Sequence, residues 1–323
     1  MPTASSTAQR LIPSGKIFFD AFNAAGAKTG ERYLGLTPGF TVTIASDKIN
    51  SYSAESGTRQ LDDQTLVTIT RTGKLTVRQL SMENLALFLA GSVATPAQAS
   101  GAVSNEAVSV LADRYYQLGA STANPSGVRS VSSVTVATGA VATWAATTAY
   151  ALGAQVKPAT SPLYIYQATT AGTSGGSAPT WPTTIGATVT DGTVTWTCIG
   201  IITPVLDTDY TVDATLARVY VLPTARVSGT YPVPWLFGYT KSAVSREQLQ
   251  TAGTADIYGA LRFVAFNMKG TNRDLYASNV LMAPSGDIVF KADDPAYAEL
   301  SFDLTFNEGA NSEPALIIDG RAY

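Results

Sequence analysis

The chain has 323 residues, of which only 14% are charged, and its formal net charge is −3. It contains no histidine and one cysteine, Cys198. Serine or cysteine triads need an imidazole base, and zinc sites need several Cys or His ligands, so both classes of site are excluded. With 24 acidic against 21 basic residues, nothing indicates a basic surface that grips nucleic acid. The composition predicts a non-enzymatic protein without catalytic residues, cofactor or metal, which acts through shape and self-association.

The sequence also argues against a membrane segment. Its first residues lack the basic and apolar stretches of a signal peptide, and the longest apolar run, around Leu85–Gly91, is too short to span a bilayer. A single thiol cannot build an intrachain disulfide framework, which fits folding in a reducing cytoplasm.

Two segments in the first third of the chain alternate apolar and hydroxyl side chains with the period of a strand, Phe40–Ile44 and Leu66–Thr70. Each predicts a strand with one buried face and one polar, uncharged face. The segment between them, Tyr52–Gln64, is interpreted as a polar loop, with an ordinary solvated hairpin tip as the alternative. Its candidate contact residues are Tyr52, Glu55, Arg59, Asp62 and Asp63.

Helix signals follow. Ser81 is a plausible N-cap, Leu85 and Phe88 supply an apolar face that packs on a sheet, and Gly91 ends the helix. A second short helix is predicted at Ser242–Gln250. Further strands are predicted at Val131–Val136, Tyr210–Val212, Arg218–Leu222, Leu261–Asn267, Asn279–Ala283, Asp287–Lys291 and Ala298–Asn307.

The chain changes character in the middle. From Val141 to Thr203 only Lys157 and Asp191 are charged, yet this stretch holds three of the four tryptophans. Asp191 and the glycine after it separate two alternating runs, which predicts a hairpin. Such a shift in composition marks a small all-β domain. Tyr164 and Trp181 flank loops, and for each of them packing in the core of this domain and stacking on a sugar are equally good interpretations.

The segments outside this middle domain resemble the major tail tube protein of long-tailed, non-contractile bacteriophages. The resemblance is carried by motifs in a fixed order, Gly30–Gly35, Ser53–Gly57, Glu83–Gly91, Asp209–Asp213 and Pro284–Phe290. It implies a mainly-β fold of the tail-tube sandwich or barrel type with one or two short helices. The tube domain would comprise residues 1–140 and 204–323, and the inserted small β domain residues 141–203.

The middle domain is similar to small chitin-binding-type carbohydrate modules and to related decoration modules of phage tails. The motifs that carry this similarity are Trp144–Gly153, Tyr166–Ala168, Gly172–Gly175, Pro179–Pro182 and Asp191–Trp196. The chain has Thr169–Ala171 where the carbohydrate modules place further exposed aromatic residues. The interrupted strand pattern on either side predicts that the domain is dispensable for assembly.

These resemblances imply a structural virion protein, assembled in the cytoplasm of the bacterial host, which polymerises as stacked, hexameric rings into a hollow tube. DNA would pass through the lumen without specific binding, and the loop at Tyr52–Gln64 would join successive rings. Implied partners are further copies of the chain and the tape measure, terminator and distal tail proteins. The Thr-rich strands, with Glu299 and Asp303, predict a lumen of negative or near-zero charge. The alternative is a glycan- or receptor-binding tail protein whose aromatic domain contacts host-surface glycans through Tyr164 and Trp181.

Overall fold

A computed structural model describes residues 12–53, 55, 57–251, 256–291 and 298–320. The chain divides into two compact units, Met1–Thr95 with Glu247–Tyr323, and Pro96–Arg246. Strands dominate both units, and the part of the chain that the structure describes contains a single α-helix. The predicted mainly-β fold is therefore confirmed.

The elements follow one another along the chain. The first unit begins with β1 (Gly15–Ala21), β2 (Arg32–Tyr33), β3 (Gly39–Ser53), β4 (Gln60–Val77), α1 (Met82–Phe88) and β5 (Gly91–Ala94). The second unit contains β6 (Ala97–Gln98), β7 (Gly101–Val110), β8 (Arg114–Gln117), β9 (Val131–Thr138), β10 (Ala142–Thr143), β11 (Ala149–Tyr150), β12 (Gln155–Lys157), β13 (Tyr164–Thr170), β14 (Gly172–Thr173), β15 (Thr188–Asp191), β16 (Val194–Ile201), β17 (Tyr210–Asp213), β18 (Arg218–Val221), β19 (Val233–Lys241) and β20 (Val244–Ser245). The chain returns to the first unit with β21 (Gln248–Thr251), β22 (Ile257–Ala265), β23 (Arg273–Pro284), β24 (Leu300–Asn307) and β25 (Ile317–Gly320).

The first unit is built on one antiparallel sheet with the order β2-β1-β22-β23-β24-β4-β3. Strand β25 pairs with β23 beyond the point where β24 ends, so the two strands share one edge of β23. Among the described residues the sheet stays open, with the short β2 at one end and the 15-residue β3 at the other.

Helix α1 covers part of one face of this sheet, as the sequence predicts. The Ser81 hydroxyl accepts a hydrogen bond from the backbone N–H of Asn84, which confirms the N-cap. The Asn84 side chain donates to the backbone carbonyls of Leu34 and Gln79 at 2.9 Å each, which ties the helix to the sheet. Phe88 lies in the core of the unit.

Two element predictions in this part of the chain are wrong. Ser242–Gln250 forms β20 and the start of β21, because pairing with β6 and β5 overrides a weak helix propensity in a segment without an apolar stripe. Asp287–Lys291 forms no strand. Since β22 occupies one edge of β23 and β24 and β25 share the other, no edge of that strand remains for a further partner.

The second unit contains the predicted inserted domain. Residues 142–201 form the five-stranded sheet β10-β12-β13-β16-β15 and the small ribbon β11-β14. The predicted hairpin is confirmed, because Asp191 pairs with Val194 across a two-residue loop whose Gly192 has φ +62°. The paired strands predicted at Tyr210–Val212 and Arg218–Leu222 are confirmed as β17 and β18.

The insert shares a core with the rest of its unit. Val141, Ile165 and Ile199 pack in the same cluster as Val233 and Trp235. The boundaries predicted for the insert, 140/141 and 203/204, both lie inside the second unit. The two predicted tube segments, 1–140 and 204–323, each contribute residues to both units. Removal of residues 141–203 would therefore open this core, so the structure gives the expected dispensability no support.

Asp209 is a buried charged residue that links the segment after the insert, at Val205, to Arg226. Its side chain is fully buried and accepts hydrogen bonds from the Arg226 guanidinium at 2.7 Å and from the backbone N–H groups of Arg226 and Val205. Burial raises the pKa of this carboxyl, but the hydrogen bonds and charge of Arg226 outweigh burial, so the pKa lies below its usual value.

Replacing Asp209 with alanine is expected to lower the free energy of unfolding by about 2–6 kcal/mol, because two backbone N–H donors lose their acceptor at about 1–3 kcal/mol each. Urea denaturation measures the change. Glu299→Ala is the control, since the Arg78–Glu299 pair is 37% exposed on both sides and should contribute less than about 1 kcal/mol. Equal effects of the two substitutions would contradict this role of Asp209.

Candidate assembly surface

The hairpin of β3 and β4 extends beyond the body of the first unit as a two-stranded arm. Every residue from Thr43 to Tyr52 and from Gln60 to Thr70 is exposed. The segment interpreted as a loop, Tyr52–Gln64, is mostly strand, because β3 continues to Ser53 and β4 begins at Gln60. The loop prediction is thus wrong for residues 52–53 and 60–64, which are strand, and the role of the tip in contacts between copies stays a prediction.

The register of the arm separates its side chains into two faces. Ile44 lies opposite Arg71, and Ser46 lies opposite Ile69, so these residues share one face, whereas Ala45 and Thr70 share the other. A β-bulge between Asp47 and Lys48 leaves Val67 without a partner and places it on the same face as Leu66. We call this side the apolar face of the arm, and its large apolar residues are Ile44, Tyr52, Leu61, Leu66, Val67 and Ile69.

The apolar face of the arm has no cover among the described residues of the chain. Its large apolar side chains are 44–64% exposed. Three polar side chains interrupt these apolar residues. Lys48 Nζ donates a hydrogen bond to the Gln64 side chain, and the Gln64 amide donates to the Asn50 side chain, each at 3.0 Å. The strands predicted at Phe40–Ile44 and Leu66–Thr70 are confirmed, but the expected burial of their apolar side is wrong beyond Val42. Exposed apolar residues on both sides of the three polar side chains mark an interaction surface.

The side of the sheet opposite the core is polar and nearly uncharged in the three terminal strands, β24, β4 and β3. In its three terminal strands, Thr41 and Asp303 both lie opposite Lys74, and Thr43 and Thr305 both lie opposite Thr72. We call this side the threonine face, and its residues are Thr41, Thr43, Thr72, Lys74, Asp303 and Thr305. Its one base and one acid are cross-strand neighbours, so the local charge is near zero.

The five candidate loop residues lie at the end of the arm. Tyr52 is 52% exposed, and Glu55, Arg59, Asp62 and Asp63 are exposed. Because β4 carries one extra residue at the bulge after Ser51, Asp62 has no cross-strand partner there. The tip therefore presents three acids and one base to solvent, which suits contact with another molecule.

Glu299 and Asp303, the acids expected at the lumen, both have basic neighbours. The Glu299 carboxylate lies 2.6 Å from Arg78 Nε, and Asp303 is the register partner of Lys74. Each of these two acids is therefore balanced locally by a basic side chain.

The aromatic residues of the inserted domain mostly face inward. Trp181 is 9% exposed and its ring lies 4.3 Å from the ring of Tyr166. Tyr164 is half-buried against the same cluster. The Asp191 carboxylate accepts the indole N–H groups of Trp144 and Trp196 at 2.8 and 3.1 Å. Of the two interpretations of Trp181, the structure supports core packing, since little of the ring is left for stacking on a sugar.

The described residues offer no cluster of three or more Cys, Asp or Glu side chains that could hold a metal ion. Cys198 is fully buried, and burial raises the pKa of its thiol to about 12, which makes it a poor nucleophile. No helix in the described part of the chain is long and apolar enough to cross a membrane.

Residues 11–170 match the profile of a family described as "Protein of unknown function UCP028589". No curated protein matches the chain. The matched stretch contains the arm, α1 and the first part of the inserted domain. Its description names no activity.

Proposed function

We propose that the chain is the repeating subunit of the hollow tail tube of a long-tailed, non-contractile bacteriophage. Copies of the chain polymerise as stacked, hexameric rings, and the tube conducts the phage DNA. The observation that carries the proposal is the arm, a two-faced β-ribbon whose apolar face has no cover among the described residues of its own chain. An isolated two-stranded hairpin is marginally stable in water, so the arm needs a partner.

The edge of the sheet supports the same proposal. Strand β3 is the last strand of the sheet and pairs only with β4 among the described residues. A 15-residue edge strand exposes a long row of backbone groups that would pair with another chain. Joining the sheets of neighbouring copies would remove this edge, as closure of a barrel does.

The threonine face supports a role as a conduit. Its hydroxyl side chains are wettable, and its single base, Lys74, lies opposite the acid Asp303. A wall rich in Lys or Arg would release counterions from DNA and hold it, whereas a nearly uncharged wall lets it move. In this proposal the threonine face of the sheet body lines the lumen and the protein is located in the virion.

The alternative, a glycan-binding tail protein, has less support. The indole N–H groups of Trp144 and Trp196 are bound to Asp191, and the Tyr166 hydroxyl donates to the carbonyl of Pro182. These polar groups form hydrogen bonds within the domain and are not available to bind a sugar.

Negative-stain electron microscopy of the concentrated purified protein tests the proposal. We expect rings and tubes of uniform bore. A protein that stays monomeric at high concentration while it binds chitin oligosaccharides or bacterial surface glycans would overturn the proposal and favour the alternative.

A further inference from the structure

Two arginine side chains hold the loop between β8 and β9 in the second unit. The Arg246 guanidinium donates through Nη2 to the Asn124 side chain at 3.2 Å, to the Ser126 hydroxyl at 3.0 Å and to a backbone carbonyl of the loop. The Arg129 guanidinium donates through Nη1 to the Ser126 carbonyl at 2.7 Å and to a second carbonyl of the loop. Both guanidinium groups therefore contact Ser126, so their positive charges lie close together.

The two arginines have no acidic partner among the described residues. Acids on nearby segments are engaged elsewhere, since Glu106 accepts from a backbone N–H and a tyrosine hydroxyl and Asp213 accepts from a backbone N–H. Glu247, which follows Arg246 in the sequence, is exposed and forms no ion pair with it. Like charges held side by side repel each other, and an anion bound between them would turn this repulsion into attraction.

The hydrogen bonds to the loop leave most donors of both side chains available. A guanidinium carries N–H groups on each of its nitrogens, and in the described part of the chain each of these two uses a single Nη atom. The Asn124 side-chain oxygen accepts from Arg246 and from the Ser126 hydroxyl, which leaves its amide N–H groups available as well. Both arginines are partly buried. The cluster thus offers donors and positive charge.

The backbone of the loop holds this cluster in place. The Gln98 side chain accepts from the Arg129 backbone N–H at 3.0 Å and donates to the Arg129 carbonyl at 2.6 Å. The Asn124 backbone N–H binds the Ser121 hydroxyl, and its carbonyl accepts from Gly127, whose φ of +66° closes the turn. Because these contacts already fix the loop, a ligand would pay little ordering entropy on binding.

We propose that Arg129 and Arg246 bind the dianionic form of a phosphate group. Arginine matches phosphate oxygens with parallel N–H donors, and two guanidinium groups supply the two positive charges that a dianion needs. A phosphodiester carries one negative charge and a neutral sugar carries none, so both fit the cluster less well. The site lies on the second unit, apart from the arm and the threonine face, and does not depend on the proposed function.

Isothermal titration calorimetry of the full chain with inorganic phosphate tests the proposal, with chloride used to keep the ionic strength constant. Arg129→Gln and Arg246→Gln should each weaken phosphate binding about tenfold or more, because each removes a charge-assisted hydrogen bond. Arg218→Gln is the matched control. It changes the net charge by the same amount in the same unit, but its guanidinium lies over the Tyr115 ring, 4.7 Å from the centroid, so phosphate affinity should not change.

Two further measurements separate binding from a structural role of the arginines, since each glutamine substitution also removes a contact to the loop. Phosphate should raise the thermal unfolding midpoint of the unaltered protein and of Arg218→Gln, but not of the two glutamine variants at the site. Lowering the pH from about 8 to about 5 removes the second charge of phosphate and should weaken its binding. Sulfate, which stays a dianion, should bind equally well at both pH values.

Four results would each overturn the phosphate site. They are the absence of binding heat and midpoint shift in the unaltered protein, unchanged affinity in Arg129→Gln and Arg246→Gln, an equal loss in Arg218→Gln, and binding of diethyl phosphate as tight as that of inorganic phosphate. The last result would mean that a single negative charge is enough.

Discussion

Replacing Ile69 with glutamate is expected to abolish tube formation while leaving the unfolding midpoint of the monomer nearly unchanged. Ile69 is 44% exposed on the apolar face of the arm, and the subunit itself gains little from it. In the assembly the new carboxylate would be buried without a partner, which costs far more than the lost apolar contact. Electron microscopy measures assembly, and urea denaturation of the monomer measures stability.

Thr70→Glu is the control for this prediction. Thr70 is the next residue along β4, is also exposed, and faces the other side of the arm. The same charge introduced there should leave tubes intact. Loss of tubes in both variants would show that the arm tolerates no added charge on either side, which would contradict the assignment of its apolar face as the contact.

The second large effect is expected at Phe88. Its side chain is 6% exposed, and its ring packs edge-on against the ring of Phe302 with the centroids 5.8 Å apart. Truncation to alanine leaves a cavity between α1 and the sheet, so we expect the free energy of unfolding to fall by about 3–5 kcal/mol. Leu85→Ala should cost less, because Leu85 is only half-buried against the same core.

Chemical denaturation of the monomeric protein measures both changes. A near-neutral effect of Phe88→Ala, or a larger effect for Leu85→Ala, would contradict the packing of α1 on its own sheet. It would indicate instead that the apolar side of the helix is stabilised by contacts between subunits.

The parts of the fold that could be predicted from the sequence depend on local patterns. The alternation in Phe40–Ile44 gave a strand, Ser81 gave a helix start, and Asp191 gave a hairpin, because each signal lies within a few residues of its effect. Ser242–Gln250 failed for the opposite reason. Its strands form by pairing with segments about 150 residues away in the sequence, and no local pattern records those partners.

The candidate surface was only partly predictable. The alternation of apolar and polar residues identified two faces on the strands of the arm. It cannot distinguish an apolar face that is buried in its own subunit from one that is buried only by contact with another copy. The charged residues of Tyr52–Gln64 weaken the apolar and polar alternation that predicts a strand. The sequence therefore predicted a loop where β3 and β4 continue. Composition likewise cannot separate a core tryptophan from a stacking platform, and only the packing of Trp181 against Tyr166 distinguishes them.

The central claim, that the threonine face of the sheet body lines a DNA conduit, is tested most directly by a cryo-electron microscopy reconstruction of the assembled protein. We predict a continuous channel whose wall carries Thr41, Thr43, Thr72 and Thr305, with Lys74 and Asp303 balancing each other. The local charge of this part of the wall should be near zero. A wall dominated by Lys and Arg, or a channel lined by another side of the sheet, would contradict the claim.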